Sequence, residues 1–377
     1  MKVLMISTDA TILRTESEAS QRMKQYGALA DKLDIIVCTS TESFGESVVI
    51  SDKVRAYPTN SNSKLWYVKD VLSTVNRANI HDIDLVTAQD PFETGLSGWL
   101  VARKKRAKLQ LQIHTDFMSK YFRGESFKNR IRIWIAKWLL PKADSIRVVS
   151  ERIKRSLSRV VRDMSKVVVL PIFVDIASIK NTKAKIDLHA KYPQFDFVIL
   201  MASRIEKEKN IELAINAMRE IIKSHPKIGL VITGKGALEK ELKSKVSRLG
   251  LSNNIVFEGW VNDLAPYYKT ADVFLNTSDY EGYGRTLISA AAAGCPIITT
   301  DVGLVGEIIN KDNCLVIPVG DLKALEDSIL KLRTDDDLRN DLSRRAQESV
   351  LSVQKNKTKY LEKYKESMLA YGKQQAN

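Results

Sequence analysis

The feature that most constrains this 377-residue chain is an alternation, in which short runs rich in Val and Ile are separated by longer segments with apolar residues at helical spacing. Such a pattern predicts repeated βαβ units around mainly parallel sheets, and so an α/β protein. The alternation comes in two series. The first predicts strands at 3–6, 35–39, 84–88, 109–114, 145–149 and 167–170, and the second at 197–202, 229–233, 254–258, 273–276, 296–299 and 314–317. Between them, 179–195 is polar and lysine-rich without a clear period and reads as a connection. Two Rossmann-like lobes are expected, at 1–178 and 179–355. A helix at 356–377 is expected to pack across a lobe through Tyr360, Leu361, Tyr364, Met368 and Tyr371. Open parallel sheets bind ligands at the carboxyl ends of their strands, so two facing lobes would place a ligand in a central cleft.

Composition narrows the setting. With 44% hydrophobic and 28% charged residues the chain reads as an ordinary globular protein. Its longest low-charge runs, 287–300 and 167–179, fall short of the roughly 18 apolar residues of a membrane span. The apolar run 3–6 is too short for a signal-peptide core, so the expected compartment is the cytoplasm. Cys38, Cys295 and Cys314 are scattered without metal or disulfide spacing and are expected to be reduced core residues.

The formal net charge is +14, from 59 Lys+Arg against 45 Asp+Glu. Residues 101–166 alone hold 19 Lys+Arg against five acids, which equals the whole excess. Such a balance favours anionic partners. Within this stretch Ile131, Trp134, Ile135, Trp138 and Leu139 recur at helical spacing among Arg130, Arg132 and Lys137, with a second basic cluster at Arg103, Lys104, Lys105 and Arg106. Two readings stand side by side. The helix lies peripherally on the inner face of an anionic membrane with Trp at headgroup depth, or it packs on its own sheet with a solvated basic back. No nucleic-acid-binding signature accompanies the charge, so no nucleic acid is expected as partner.

Two strand-to-helix junctions carry the chemistry. In 203–210, Arg204 and Lys209 bracket a loop after a predicted strand, and a planar guanidinium with a flexible ammonium suits a diphosphate. In 278–296 a strand ends in the turn Glu281-Gly282-Tyr283-Gly284 and the helix Arg285-Thr286-Leu287-Ile288-Ser289 begins. Gly282 and Gly284 permit tight turns and close ligand approach. The amides from Gly284 to Leu287 would favour an anion, with Glu281 beside a bound polar ring.

With these motifs the sequence resembles the retaining GT-B glycosyltransferases, specifically glycosyltransferase family 4. The resemblance covers most of the second lobe: 204–210, Gly234-Lys235-Gly236, 257–261, 271–273, 278–296 and 300–303. In the first lobe it rests more loosely on Asp90-Pro91-Phe92 with Gly95, on His114-Thr115-Asp116, on Ala143-Asp144 and Val149-Ser150, and on Pro171 with Asp175. It implies an acceptor-side N-terminal domain and a C-terminal domain that binds a nucleotide-sugar. Arg204 and Lys209 would hold the donor diphosphate, Glu281 would bind sugar hydroxyls, and His114 would reach the donor sugar. Donor contacts are implied at Gly234, Gly236, Gly282, Tyr283, Gly284, Arg285, Thr286, Leu287 and Ser289. Acceptor-side positions are Asp90, Asp116 and Arg14, with Ser17 and Arg22 nearby. The family transfers a sugar from a nucleotide donor, here UDP- or GDP-linked, with retention and generally without a metal. The basic first lobe suggests a glycan or lipid-linked acceptor, as in surface polysaccharide or glycolipid assembly.

Two departures stand out. Eight positions after Glu281 the family pattern has a second glutamate that accepts hydrogen bonds from the nucleotide ribose, and here Ser289 stands instead. A hydroxyl is the shorter and weaker acceptor. That replacement keeps open a degraded sugar-nucleotide or membrane-glycan binding protein, with an epimerase on the same fold as a third reading. The first strand is followed by 8–14 without the double glycine common in the family. His81, before Asp82 and Asp84, is expected in a loop rather than at a metal site, His189 and His225 are expected at the surface, and Asp335-Asp336-Asp337 is expected to start a helix, where acids complement the dipole, rather than to clamp a metal. No cofactor is expected.

Overall fold

The computed structural model describes residues 1–40, 44–353 and 356–369; Tyr371 lies outside them. The chain divides into two compact units. The first comprises the residues up to Pro171 together with the helix Lys357–Leu369, and the second runs from Ile172, ahead of the expected boundary at 178/179.

Among the described residues the first unit has eight strands: β1 Lys2–Ser7, β2 Lys32–Val37, β3 Val48–Ser51, β4 Val54–Pro58, β5 Leu85–Ala88, β6 Lys108–Ile113, β7 Ser145–Val148 and β8 Val167–Val169. They form one sheet in the order β3-β4-β2-β1-β5-β6-β7-β8, parallel throughout except for the antiparallel β3–β4 pair. β1, β2, β5, β6 and β7 are buried almost end to end, as expected of parallel strands covered on both faces. The predicted strands correspond to β1, β2, β5, β6, β7 and β8, whereas β3 and β4 escape the sequence pattern. β3 is half-exposed at the sheet edge, so no apolar run marks it. The helix Lys357–Leu369 returns to this unit and buries Tyr360, Tyr364, Ser367 and Met368, with Tyr364 stacked on Tyr26 at 4.0 Å between ring centroids.

The second unit carries β9 Phe197–Ala202, β10 Ile228–Thr233, β11 Ile255–Gly259, β12 Val273–Asn276, β13 Ile297–Thr300 and β14 Leu315–Ile317. All are parallel, in the order β11-β10-β9-β12-β13-β14. Its core gathers Ile199, Met201, Leu230, Ile232 and Leu275 with Ile215, Met218, Ile329 and Leu332 from the helices Ile211–Ile221 and Leu322–Thr334. The presumed connection 179–195 is partly helical, with Ile176–Asn181 and Leu188–Lys191. Asp335 accepts from the Leu338 N–H at 2.8 Å and so caps the helix Asp336–Ser352.

The basic helix Phe127–Leu139 turns Ala136 and Leu139 inward, while Phe127, Ile131 and Trp134 are exposed, Trp134 by 69%. The expected stripe is thus split: Leu139 is buried and Trp138 meets Trp99 edge-on at 4.9 Å, whereas Ile131 and Trp134 are exposed. The three cysteines are buried and unbridged.

Candidate functional site

Order reverses in the second sheet at β9, which pairs with β10 on one side and β12 on the other. At such a switch point the loops leave the strand ends in opposite directions and open a crevice. The loop after β9 holds Arg204 and Lys209, and the loop after β12 holds Glu281. Lys209 Nζ forms a short ion pair with Glu281 Oε1, and both side chains are largely shielded from solvent. Ser278 Oγ donates to the same carboxylate oxygen at 3.1 Å. Two residues singled out from separate motifs therefore meet.

The frame holding them is laced by short-range bonds. The Asp279 N–H donates to the Glu208 carbonyl at 2.8 Å, and Asn210 Nδ2 to Asp279 Oδ1 at 2.8 Å. Thr277 Oγ1 donates to the Lys209 carbonyl at 2.9 Å. Asn210 occupies the left-handed region at φ 43° and caps the helix Ile211–Ile221 through Leu213 N–H at 3.3 Å. A left-handed non-glycine residue is uncommon, and asparagine is among those that tolerate it. It lets the chain turn sharply enough to leave Lys209 on the crevice side.

Gly234 and Gly236 follow β10. A Cβ on Gly234 would stand 1.8 Å from the Ser203 carbonyl oxygen and one on Gly236 2.2 Å from that of Ile205, so the β9 and β10 loops can touch only because both are glycine. Gly284 is left-handed, at φ 94°, and as the N-cap of the helix Arg285–Ala293 it has no side chain to accept from the first amides, donors that suit an anion. Gly282, Tyr283 and Leu287 are buried, Arg285 is exposed and Thr286 is half-buried. Ser289 Oγ donates back to the Arg285 carbonyl at 3.1 Å within this helix. Arg204 differs from Lys209: it is exposed and pairs with Glu208 at 2.7 Å.

In the first unit His114 follows β6. Its ring is half-buried, and burial, with the Arg147 and Arg22 charges, pushes its pKa down to about 3. The imidazole is therefore neutral at physiological pH. Nε2 lies 3.2 Å from Gln112 Oε1. Asp90 accepts from the Phe92 N–H at 2.7 Å and bonds Thr94 through its backbone, a turn that opens the helix Glu93–Lys105; burial pushes its carboxyl above the usual range. Burial also raises Asp116, whose Oδ1 is buried without a hydrogen-bond partner among the described residues. Arg14 is exposed at the end of the turn Ala10–Leu13.

Sequence reasoning did not single out Gln110, Gln112 or Arg147, which are buried to within 3% of full cover. A signal was present: Gln110 and Gln112 alternate along β6, and His114, just past its end, continues the same two-residue spacing.

Comparison with known proteins adds two family matches. Residues 185–349 match Glycosyl transferases group 1 and residues 23–178 match Glycosyltransferase Family 4. The fold is GT-B, with two Rossmann-like units, and the chain belongs with the group 1/family 4-like glycosyltransferases. It is 27% identical over 232 residues to the alpha-monoglucosyldiacylglycerol synthase of Streptococcus pneumoniae, covering 59% of this chain and 52% of that protein. Over 326 residues it is 26% identical to UDP-Gal:alpha-D-GlcNAc-diphosphoundecaprenol alpha-1,3-galactosyltransferase of Escherichia coli, covering 80% and 81% of the two chains. HepE of Anabaena in complex with UDP-glucose superposes with a TM-score of 0.75 at 18% identity, over 98% of this chain and all of that one. The chain spans about half or less of the length of the first relatives it matches, at 52%, 40% and 30%.

Proposed function

We propose that this protein is a retaining glycosyltransferase that moves a hexose from a nucleotide-diphosphate sugar, UDP- or GDP-linked, to a glycan or lipid-linked acceptor in surface polysaccharide or glycolipid assembly. The observation that carries the reading is the Lys209–Glu281 pair at the switch point of the second sheet, next to a helix whose N-cap, Gly284, has no side chain of its own to satisfy the first amides. Breaking the bond between the anomeric carbon and the diphosphate oxygen leaves positive charge on the sugar and negative charge on the departing phosphate. A fixed ammonium and helix amides stabilise that charge without reorganisation. Lys209 and Arg204 serve the diphosphate, Glu281 the sugar hydroxyls, and His114 the donor sugar. The acceptor hydroxyl bonds to the anomeric carbon and its proton leaves with the diphosphate. No metal is required in this scheme.

The diacylglycerol and diphosphoundecaprenol named in two relatives, together with the exposed Phe127, Ile131 and Trp134 beside the basic Arg130 and Lys137, favour an acceptor met at an anionic membrane. A depression of about 300 Å³ lies against this helix, lined by Met118, Arg123, Arg130, Ile133, Trp134 and Lys137. Among the described residues no helix is long and apolar enough to cross a bilayer, so contact would be peripheral.

The test is to incubate the chain with UDP- and GDP-sugars, with and without EDTA, and to follow nucleotide release. Slow release without acceptor, unchanged by the chelator, is expected. Ser289 favours a second reading, a binding protein with a degraded site; donor binding by thermal shift without any nucleotide release would select it.

A further inference from the structure

Arg147 on β7 is 3% exposed, yet among the described residues no carboxylate pairs with it. A guanidinium buried without a counter-ion is costly unless its hydrogen bonds are answered. Here Nη1 donates to Gln112 Oε1 at 2.8 Å, Nη2 donates to the Tyr360 hydroxyl at 3.3 Å, and the group lies 4.7 Å from the centroid of the Tyr364 ring, while Nε has no partner among the described residues. Both tyrosines belong to the helix Lys357–Leu369.

From Gln112 the bonds continue in one direction. Gln112 Nε2 donates to Thr87 Oγ1 at 2.8 Å, Thr87 Oγ1 donates to Gln110 Oε1 at 3.1 Å, and Gln110 Nε2 donates to the Ser367 carbonyl at 2.6 Å. Each end of this chain has only one possible role. A guanidinium cannot accept, and a backbone carbonyl cannot donate. With Ser367 taking the Gln110 amide hydrogen, Gln110 Oε1 must face Thr87, so the threonine hydroxyl donates there and accepts from Gln112. Starting from Arg147 gives the same orientation. Gln112 Oε1 is thus an acceptor from both ends, and His114 Nε2, at 3.2 Å from it, has to carry the hydrogen. Nδ1 then keeps its lone pair, and no group among the described residues bonds it.

We propose that the helix Lys357–Leu369, acting through Arg147, Gln112, Thr87 and Gln110, is a positioning device that locks His114 in the neutral Nε2–H tautomer and offers Nδ1 as an acceptor to a donor-sugar hydroxyl. Gln112 and Arg147 are positioning residues and touch no substrate in this scheme. The inference rests on the proposed role of His114 only for the identity of the hydroxyl; the tautomer belongs to the resting protein.

The test uses the full chain labelled with ¹⁵N-histidine, without donor. The sequence has four histidines, and His114→Gln identifies the resonances that disappear. At pH 7.5 the wild type is expected to show a pyrrole-type Nε2 and a pyridine-type Nδ1 at His114. Because the Ser367 end still orients Gln112 through Gln110 and Thr87, Arg147→Met and Arg147→Lys should both keep the wild-type signature, whereas Arg147→Met combined with Gln110→Leu releases both ends, leaves Gln112 free to turn over and should move the two nitrogens toward averaged shifts. An Nδ1–H tautomer or an imidazolium in the wild type overturns the proposal, and the wild-type spectrum decides even if a variant fails to fold. An unchanged spectrum in the folded protein carrying both Arg147→Met and Gln110→Leu overturns it as well. A correct tautomer in a protein that transfers no sugar would instead leave the device standing and remove the reaction.

Discussion

At the scale of single residues, Lys209 and Arg204 show how two cations of one motif acquire different weights. Lys209 is shielded and locked to Glu281, whereas the Arg204 side chain is 69% exposed beside Glu208. In the proposed reaction, removing Lys209 would take a fixed charge from the departing diphosphate and leave Glu281 without its ionic partner. Lys209→Ala should slow turnover by roughly 100 to 1000-fold, about 3 to 4 kcal/mol, as read from initial rates of nucleotide release. Arg204→Ala should act more weakly, on donor KM. His114 makes a prediction about stability. Its folded pKa of about 3 lies below the ordinary 6.5, so between these values the unfolded chain binds a proton that the folded one refuses. The histidine therefore lowers stability progressively as pH falls from 6.5 toward 3 and has no effect above. Urea midpoints at pH 7.5 and pH 5 should differ less in His114→Gln than in wild type. Both motif residues could be found in the sequence because a charged residue at a strand end has few structural explanations. Arg147 could not, because it sat within a stretch so basic that every cation there invited the reading of a solvated surface.

At the scale of elements, the site depends on how closely neighbouring loops approach. With the Ile205 carbonyl only 2.2 Å from where a Cβ on Gly236 would stand, the β10 loop has no room to accept a side chain. Gly236→Ala should cost about 1 to 3 kcal/mol in unfolding free energy and reduce the thermal shift caused by UDP-sugars, because backbone rather than a flexible side chain has to move. The helix Phe127–Leu139 belongs to the same scale. Its outward Trp134 and basic neighbours predict retention on anionic vesicles, and Arg130→Glu with Lys137→Glu should weaken it by on the order of fivefold per charge removed, as measured by co-sedimentation. Equal retention on neutral vesicles would contradict this. Helical periodicity found that helix but not its orientation, since an aromatic stripe reads the same whether it faces a sheet or a lipid. The parallel strands were legible because burial on both faces leaves continuous apolar runs. β3, half-exposed and antiparallel, left none.

At the scale of the whole molecule, the two-sheet architecture followed from the two series of strands, yet the destination of the last helix did not. Its stripe promised packing somewhere, and only the structure shows Tyr360 and Tyr364 closing over Gln112 and Arg147. Deleting 356–377 would uncover that buried arginine together with two glutamines. Tyr364→Ala alone should cost about 3 to 5 kcal/mol. The loss should appear in hydrogen exchange of β6 and β7 while β9 to β13 keep their protection; uniform loss in both sheets would contradict this assignment.

The first unit is thus closed by a segment that follows the entire second one in the chain. A ribosome adding about 5 to 20 residues per second needs on the order of 10 to 40 s to travel from Pro171 to Lys357. Throughout that interval the nascent amino-terminal half waits with an uncovered guanidinium and a ring, Tyr26, that lacks its stacking mate. The later-made half, by contrast, holds every strand of its own sheet before the closing helix emerges. The order of maturation therefore runs opposite to the order of synthesis, and the interval of exposure is when a chaperone would find this polypeptide.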